Sequence, residues 1–74
     1  MTGINRLTGE HMRRLRNDRH LTIEEVARRM GYKSKNTLSR IELGAKQITV
    51  EDVQKFSEAI GISYLDFFES MVKT

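Results

Sequence analysis

The chain has no cysteine, no proline and no tryptophan in its 74 residues, and only five glycines. Without cysteine no disulfide can brace a domain this short, and cysteine-based zinc sites are excluded. Absence of cysteine also suits a reducing compartment, and a cytoplasmic location is the expectation. Without proline, helices must be ended by other residues. No apolar run approaches the ~20 residues of a membrane span. The opening Met1-Thr2-Gly3-Ile4-Asn5-Arg6 lacks the apolar stretch of a secretory leader, so no membrane partner is expected. There is no glycine-rich phosphate loop, no nucleophile set beside a base and no glycosidase-like carboxylate pair, which argues against an enzyme. His11 and His20 have no carboxylates at ligand spacing, so neither a metal nor a cofactor is expected.

What remains is 38% apolar and 31% charged, a balance that suits one small folded domain. Its net charge of +3 is unevenly placed, with eleven Lys/Arg against five Asp/Glu in residues 1–46 and two against five in residues 47–74. A basic first half and an acidic second half suit a molecule with one face turned to a polyanion.

The apolar spacing is three-and-four along most of the chain, which reads as helix. Helices are expected at about 9–19, 23–30, 35–43, 50–60 and 64–72, boundaries being good to a few residues. Gly31, Gly44 and Gly61 each follow a periodic segment and can take the left-handed conformation that closes a helix. Three starts share one grammar: Thr22 with Glu25, Thr49 with Asp52 and Ser63 with Asp66 have the spacing of a capping box. Leu21/Val26, Ile48/Val53 and Ile62/Phe67 flank them as hydrophobic staples. Thr8 and Ser34 are candidate caps for the other two helices. The expected core is Met12, Leu15, Leu21, Val26, Ala27, Met30, Leu38, Ile41, Val50, Val53, Phe56, Ile60, Ile62 and Phe67. Residues 1–7 read as a short flexible arm and residues 8–74 as the folded domain.

The second and third helices are short and joined only by Gly31-Tyr32-Lys33-Ser34, which is the form of a helix-turn-helix unit. At about 100° per residue, with Lys35 at zero, Ser39 falls near ~40°, Asn36 near ~100° and Arg40 near ~140°. Leu38 and Ile41 fall almost opposite, near ~300° and ~240°. The third helix therefore carries an apolar edge and a Lys35/Asn36/Ser39/Arg40 stripe. Arg and Lys can donate to guanine O6 and N7, Asn can pair with adenine N6 and N7, and Ser can serve either, so these four are the candidate base contacts. No aromatic platform for stacking unpaired bases is visible, which disfavours RNA.

Three runs carry a family resemblance: Gly9-Glu10-His11-Met12-Arg13-Arg14-Leu15-Arg16, Leu21-Thr22-Ile23-Glu24-Glu25-Val26-Ala27, and Thr37-Leu38-Ser39-Arg40-Ile41-Glu42-Leu43-Gly44. With the closing Ile60-Gly61-Ile62-Ser63, they resemble the phage Cro/repressor family, of the XRE type, over about residues 8–70. The resemblance implies an all-α, compact five-helix, lambda-repressor-like domain with its helix-turn-helix at helices 2–3. It implies a bacterial or phage transcriptional regulator, a repressor in the first instance, that binds a palindromic double-stranded DNA operator as a homodimer. Lys35, Asn36 and Arg40 match the family's base-contact positions. Thr22, Lys33, Ser34, Thr37 and Lys46 match places where phosphate contacts are common, at helix N-termini and flanking loops. Arg16 and Glu42 match a structural ion pair between the first and third helices. Three departures stand out: Ile23 where the family often has Gln, a turn one residue longer than the commonest version, and Leu43 in place of a frequently polar residue.

Arg13/Arg14 and Arg28/Arg29 form two further basic pairs on the first two helices, able to meet phosphates or to complement helix ends. The last helix, with Tyr64, Leu65, Phe67, Phe68, Met71 and Val72, has more apolar surface than a short helix buries on one face. Leu65, Phe68 and Met71 are candidates for the dimer seam. No separate domain for a small-molecule ligand is expected. The alternative function is a protein-interaction module on the same fold, such as an antitoxin or anti-repressor subunit.

Overall fold

The computed structural model describes the backbone of residues 2–73 and the side chains of residues 5–73. Five helices follow one another: α1 (Thr2–Asp18), α2 (Ile23–Arg29), α3 (Lys35–Glu42), α4 (Val50–Ile60) and α5 (Tyr64–Lys73). Among the described residues there is no strand, and no helix is long and apolar enough to cross a membrane. The principal extents are 29 × 25 × 20 Å.

The starts follow the local chemistry of their caps. Thr22, Ser34 and Thr49 hold extended backbone, and their hydroxyls accept from the amides of Glu25, Asn36 and Asp52 respectively. Only Thr49 has the reciprocal half of its box, in which its own amide donates to Asp52 Oδ2 at 3.0 Å. Glu25, expected to do the same for Thr22, instead accepts from Arg29 one turn on at 2.9 Å.

The stops share one geometry. After α1, α2, α3 and α4, one amide reaches back three residues and the next reaches back five: His20 to Asn17 with Leu21 to Arg16, Gly31 to Arg28 with Tyr32 to Ala27, Gly44 to Ile41 with Ala45 to Arg40, and Gly61 to Glu58 with Ile62 to Ser57. This is the Schellman closure, which needs a left-handed residue at its corner. Three corners are glycines, but the first is His20 at φ 57°, a conformation that costs an L side chain about 1–2 kcal/mol.

A single core joins the helices, with α1 packed on α3, α2 on α3 and α4, and α4 on α5. Met12, Val26, Leu38, Ile41, Phe56 and Phe67 are fully enclosed. Phe67 is central, edge-on to Phe56 at 5.9 Å, to Phe68 at 5.6 Å and to His11 at 5.1 Å between ring centres.

Four expectations are corrected. The arm expected at residues 1–7 is helical from Thr2, because contacts distant in sequence hold the start of α1. Asn5 accepts the Ile48 amide at 3.2 Å, and Gly44 lies so close to Arg6 that a Cβ there would stand 2.9 Å from the Arg6 Cα. Thr8 is consequently a buried residue within α1 and not its cap. Val50, placed in the core by periodicity, is 64% exposed: it is the first residue of α4 and stands at the edge of the core, whereas Asp52 and Val53 of the same turn are buried. Leu15, Leu21 and Ile62 pack against the core without being enclosed by it.

His11, for which the sequence suggests no metal role and no other, is buried between α1 and α5. Ser70 Oγ donates to the Phe67 carbonyl at 2.9 Å, so it accepts from His11 Nε2–H at 2.8 Å, which leaves Nδ1 to accept from Arg14 at 3.4 Å. The neutral ring thus fits its partners. Burial, then the Arg14 charge, lower its pKa from 6.5, against a hydrogen bond to the Phe67 backbone carbonyl, which raises it.

Two outcomes follow from these local features. His20→Gly should stabilise the fold by about 0.5–1 kcal/mol, since glycine relieves the corner at some entropic cost in the unfolded chain. Urea unfolding would check it, as a raised midpoint with unchanged slope. For His11 the folded pKa lies below the unfolded one, so the unfolded chain takes up the proton first as pH falls. The stability contributed is complete above about pH 6.5 and is lost as pH drops through the folded value. Unfolding at pH 8 and pH 5 should show the loss, and His11→Gln should flatten it.

Candidate nucleic-acid interface

α3 is held so that its outer face is free. Leu38 and Ile41 are fully buried and Glu42 nearly so, whereas Lys35, Asn36 and Arg40 are exposed and Ser39 is half-buried. Among the described residues, no side-chain hydrogen bond or ion pair engages Lys35, Asn36 or Arg40. The stripe read from the wheel is therefore presented as one continuous, uncommitted polar surface.

Two contacts with α1 fix the far end of α3. Gly9 lies directly against its last turn, where a Cβ would collide with the carbonyl oxygens of Ile41 and Glu42. Beside it Arg16 donates Nε to Glu42 Oε2 at 2.8 Å and Nη2 to Oε1 at 3.2 Å, and Nη1 reaches the Leu21 carbonyl at 2.8 Å. The pair is sheltered, with side chains 12% and 5% exposed.

The hydroxyls of Thr22 and Ser34 accept the amides of Glu25 at 3.1 Å and Asn36 at 3.1 Å, and each keeps a proton to donate outward. Thr37 is half-buried and Lys33 exposed. Lys46 is half-buried, with Nζ 3.4 Å from Asp52 Oδ2, so its charge is shared with a carboxylate.

Two clefts flank the stripe. One, of about 290 Å³, lies between α2 and α3 and is lined by Glu24, Ala27, Arg28, Tyr32, Lys33 and Lys35. The other, of about 250 Å³, is lined by Arg13, Arg16, Ile23, Ser39, Glu42 and Leu43. Arg13 and Arg28 thus stand at the edges of the α3 stripe. Arg29 is turned elsewhere, to Glu25 and to the Ala59 carbonyl at 3.0 Å, where it ties α2 to α4. Arg14 donates to His11. Among the described residues no group of three or more His, Asp or Glu is placed to hold a metal ion.

Of the seam candidates, Leu65 is 67% exposed, whereas Phe68 and Met71 pack partly against the core. Val72, at 83%, is more exposed than any of the three seam candidates, although the sequence marks it only as part of the apolar surface of α5. Two residues beside α3 were likewise missed. Tyr32 donates its hydroxyl to Asp52 Oδ1 at 2.9 Å across the molecule. Asp52 was legible as a cap partner, but its bond to Tyr32 has no local signal.

Breaking the α1–α3 pair gives a direct test. Glu42→Ala strands a sheltered guanidinium and should cost about 3–5 kcal/mol, measured as a lowered urea midpoint.

Comparison with known proteins agrees with this geometry. The family described as Helix-turn-helix matches residues 12–67. The uncharacterized HTH-type transcriptional regulator y4dJ of Sinorhizobium fredii is 35% identical over 63 residues, covering 85% of this chain and 80% of that protein. The crystal structure of the clp gene regulator ClgR from C. glutamicum aligns with a TM-score of 0.84 at 26% identity, over 93% of this chain and 88% of that one. With the match spanning α2, its turn and α3, the chain belongs to the XRE-type helix-turn-helix family.

Proposed function

We propose that the protein is a transcriptional regulator that binds double-stranded DNA with α3 in the major groove and acts as a repressor by occupying its operator. The observation that carries this reading is the uncommitted stripe of Lys35, Asn36, Ser39 and Arg40 on a helix whose opposite side is locked into the core. The two relatives described above, a transcriptional regulator and a gene regulator, support the same reading.

In this reading Lys35, Asn36, Ser39 and Arg40 meet base edges. Thr22, Lys33, Ser34 and Thr37 meet phosphates with hydroxyl or ammonium donors, at helix starts whose dipoles favour anions. Lys46 joins them with a charge already part-neutralised by Asp52. Arg13 and Arg28 extend the positive rim. Two copies related by a two-fold axis would read a palindrome with half-sites about one helical turn apart. Leu65, Phe68 and Met71 supply the seam, to which the exposed Tyr64 and Val72 add area.

That apolar face also favours a second reading, a module that works by binding another protein. Selection of bound sequences from random duplex DNA separates the two. The regulator reading expects an enriched two-fold motif and an affinity that falls steeply with salt, because binding releases counterions. Arg40→Ala should then relax preference at one or two base pairs, by about 1–3 kcal/mol. No enriched motif, with a protein partner co-purifying, would favour the second reading. Equal weakening on every sequence would remove the base-reading role from Arg40.

A further inference from the structure

Asp52 does more than cap α4. The cap uses one carboxylate oxygen, Oδ2, which accepts the Thr49 amide at 3.0 Å and also lies 3.4 Å from Lys46 Nζ. The other, Oδ1, accepts the Tyr32 hydroxyl at 2.9 Å. Tyr32 precedes the Ser34 cap of α3, and Lys46 follows the end of α3 at Glu42. One buried carboxylate therefore ties the chain on both sides of the reading helix to the first turn of α4.

The electrostatics keep this knot in one protonation state. Burial works to raise the Asp52 pKa, but the Thr49 amide, the Tyr32 hydroxyl and Lys46 outweigh it and hold the carboxyl below 3.8. Burial, with the Asp52 bond, pushes the Tyr32 phenol up to about 12, so it remains a donor.

The turn before α3 gives the knot a purpose. An additional residue between two helices adds rotatable backbone at the point where the pitch of α3 is set. Ser34 closes the start of α3 only locally, through the Asn36 amide. The Tyr32 amide bonds to Ala27, so its backbone belongs to the end of α2, while its hydroxyl reaches α4. Tyr32 thus joins the end of α2 to α4 at the junction where slack would enter.

We propose that the Tyr32–Asp52 hydrogen bond is a positioning contact for sequence readout, through which the first turn of α4 sets the angle at which α3 is offered to duplex DNA. This rests on the DNA-binding reading above. Neither residue is a base contact; both act through α3.

Tyr32→Phe keeps the ring and removes only the hydroxyl. In the free protein it should speed amide exchange at Asn36, Thr37 and Ala45 about tenfold while Val53 and Phe56 keep their protection. The affinity ratio between the selected operator and an unrelated duplex of equal length should fall about fivefold, the scale of one lost hydrogen bond. Thr49→Ala, which damages the α4 cap and leaves Tyr32 its acceptor, should lower the melting temperature and leave that ratio unchanged. Uniform acceleration of exchange, an unchanged ratio in Tyr32→Phe, or an equal fall in Thr49→Ala would each overturn the proposal. An unaltered protein that prefers no sequence would overturn the DNA reading itself, and that result precedes any variant.

Discussion

A guanidinium and a carboxylate, withdrawn from water together, decide where α3 lies. Burying either charge alone would cost several kcal/mol, so the sheltered site tolerates Arg16 only with Glu42 in place. The fork geometry makes that demand directional. Nε and Nη2 each meet one carboxylate oxygen, and Nη1 takes the Leu21 carbonyl. Two apolar side chains could supply comparable attraction but would permit α3 to slide or roll along α1. Two parallel hydrogen bonds from one planar group to Glu42, with the third bracing that group against Leu21, oppose both movements. The same group also holds the corner at His20, whose strained backbone leads directly to Leu21.

The remaining restraints on α3 are arranged around that pair. Leu38 and Ile41 anchor its inner edge in the core, and the missing side chain of Gly9 lets α1 approach its last turn. At its start the Ser34 hydroxyl accepts the Asn36 amide, and Tyr32 links the turn to Asp52. Every restraint acts on the ends or the inner edge. Among the described residues, the exposed side chains of Lys35, Asn36 and Arg40 therefore carry no hydrogen bond or ion pair that holds the fold. In the proposed function that separation leaves the stripe free to meet base edges.

How much of this was visible in the sequence depends on the range of the interaction. The starts at Thr22, Ser34 and Thr49 were legible because a cap and its amide lie within three residues. The stops at Gly31, Gly44 and Gly61 were legible because glycine alone takes the left-handed corner without strain. His20 takes the same corner with no such mark, and only its place in a Schellman closure explains it. The helical start of α1 was misread as an arm because its anchor is the Ile48 amide, 43 residues away from Asn5. Val50 was misplaced because periodicity gives the phase of a helix but not where the core ends along it. Arg16 and Glu42 came from family resemblance, and no local pattern would have joined them.

The two departures at the edge of α3 carry one further consequence for the proposed function. Ile23, in place of a frequent Gln, packs half-buried against the core and lines a cleft with Leu43, Ser39 and Arg13. Neither Ile23 nor Leu43 has a polar side-chain group to offer a phosphate, so that flank relies on Arg13 for electrostatic contact. The opposite flank gathers Arg28, Lys33 and Lys35 around the α2–α3 turn. In the proposed reading, attraction to the DNA backbone is thus greater near the start of α3, where three cations outnumber the single carboxylate of Glu24, at the same junction that Tyr32 fastens to α4. A helix pulled toward the duplex at one end is tilted by any slack there. The tightest restraint on the turn therefore belongs where the longer loop and the densest positive charge coincide, and it is there that the Tyr32–Asp52 bond is found.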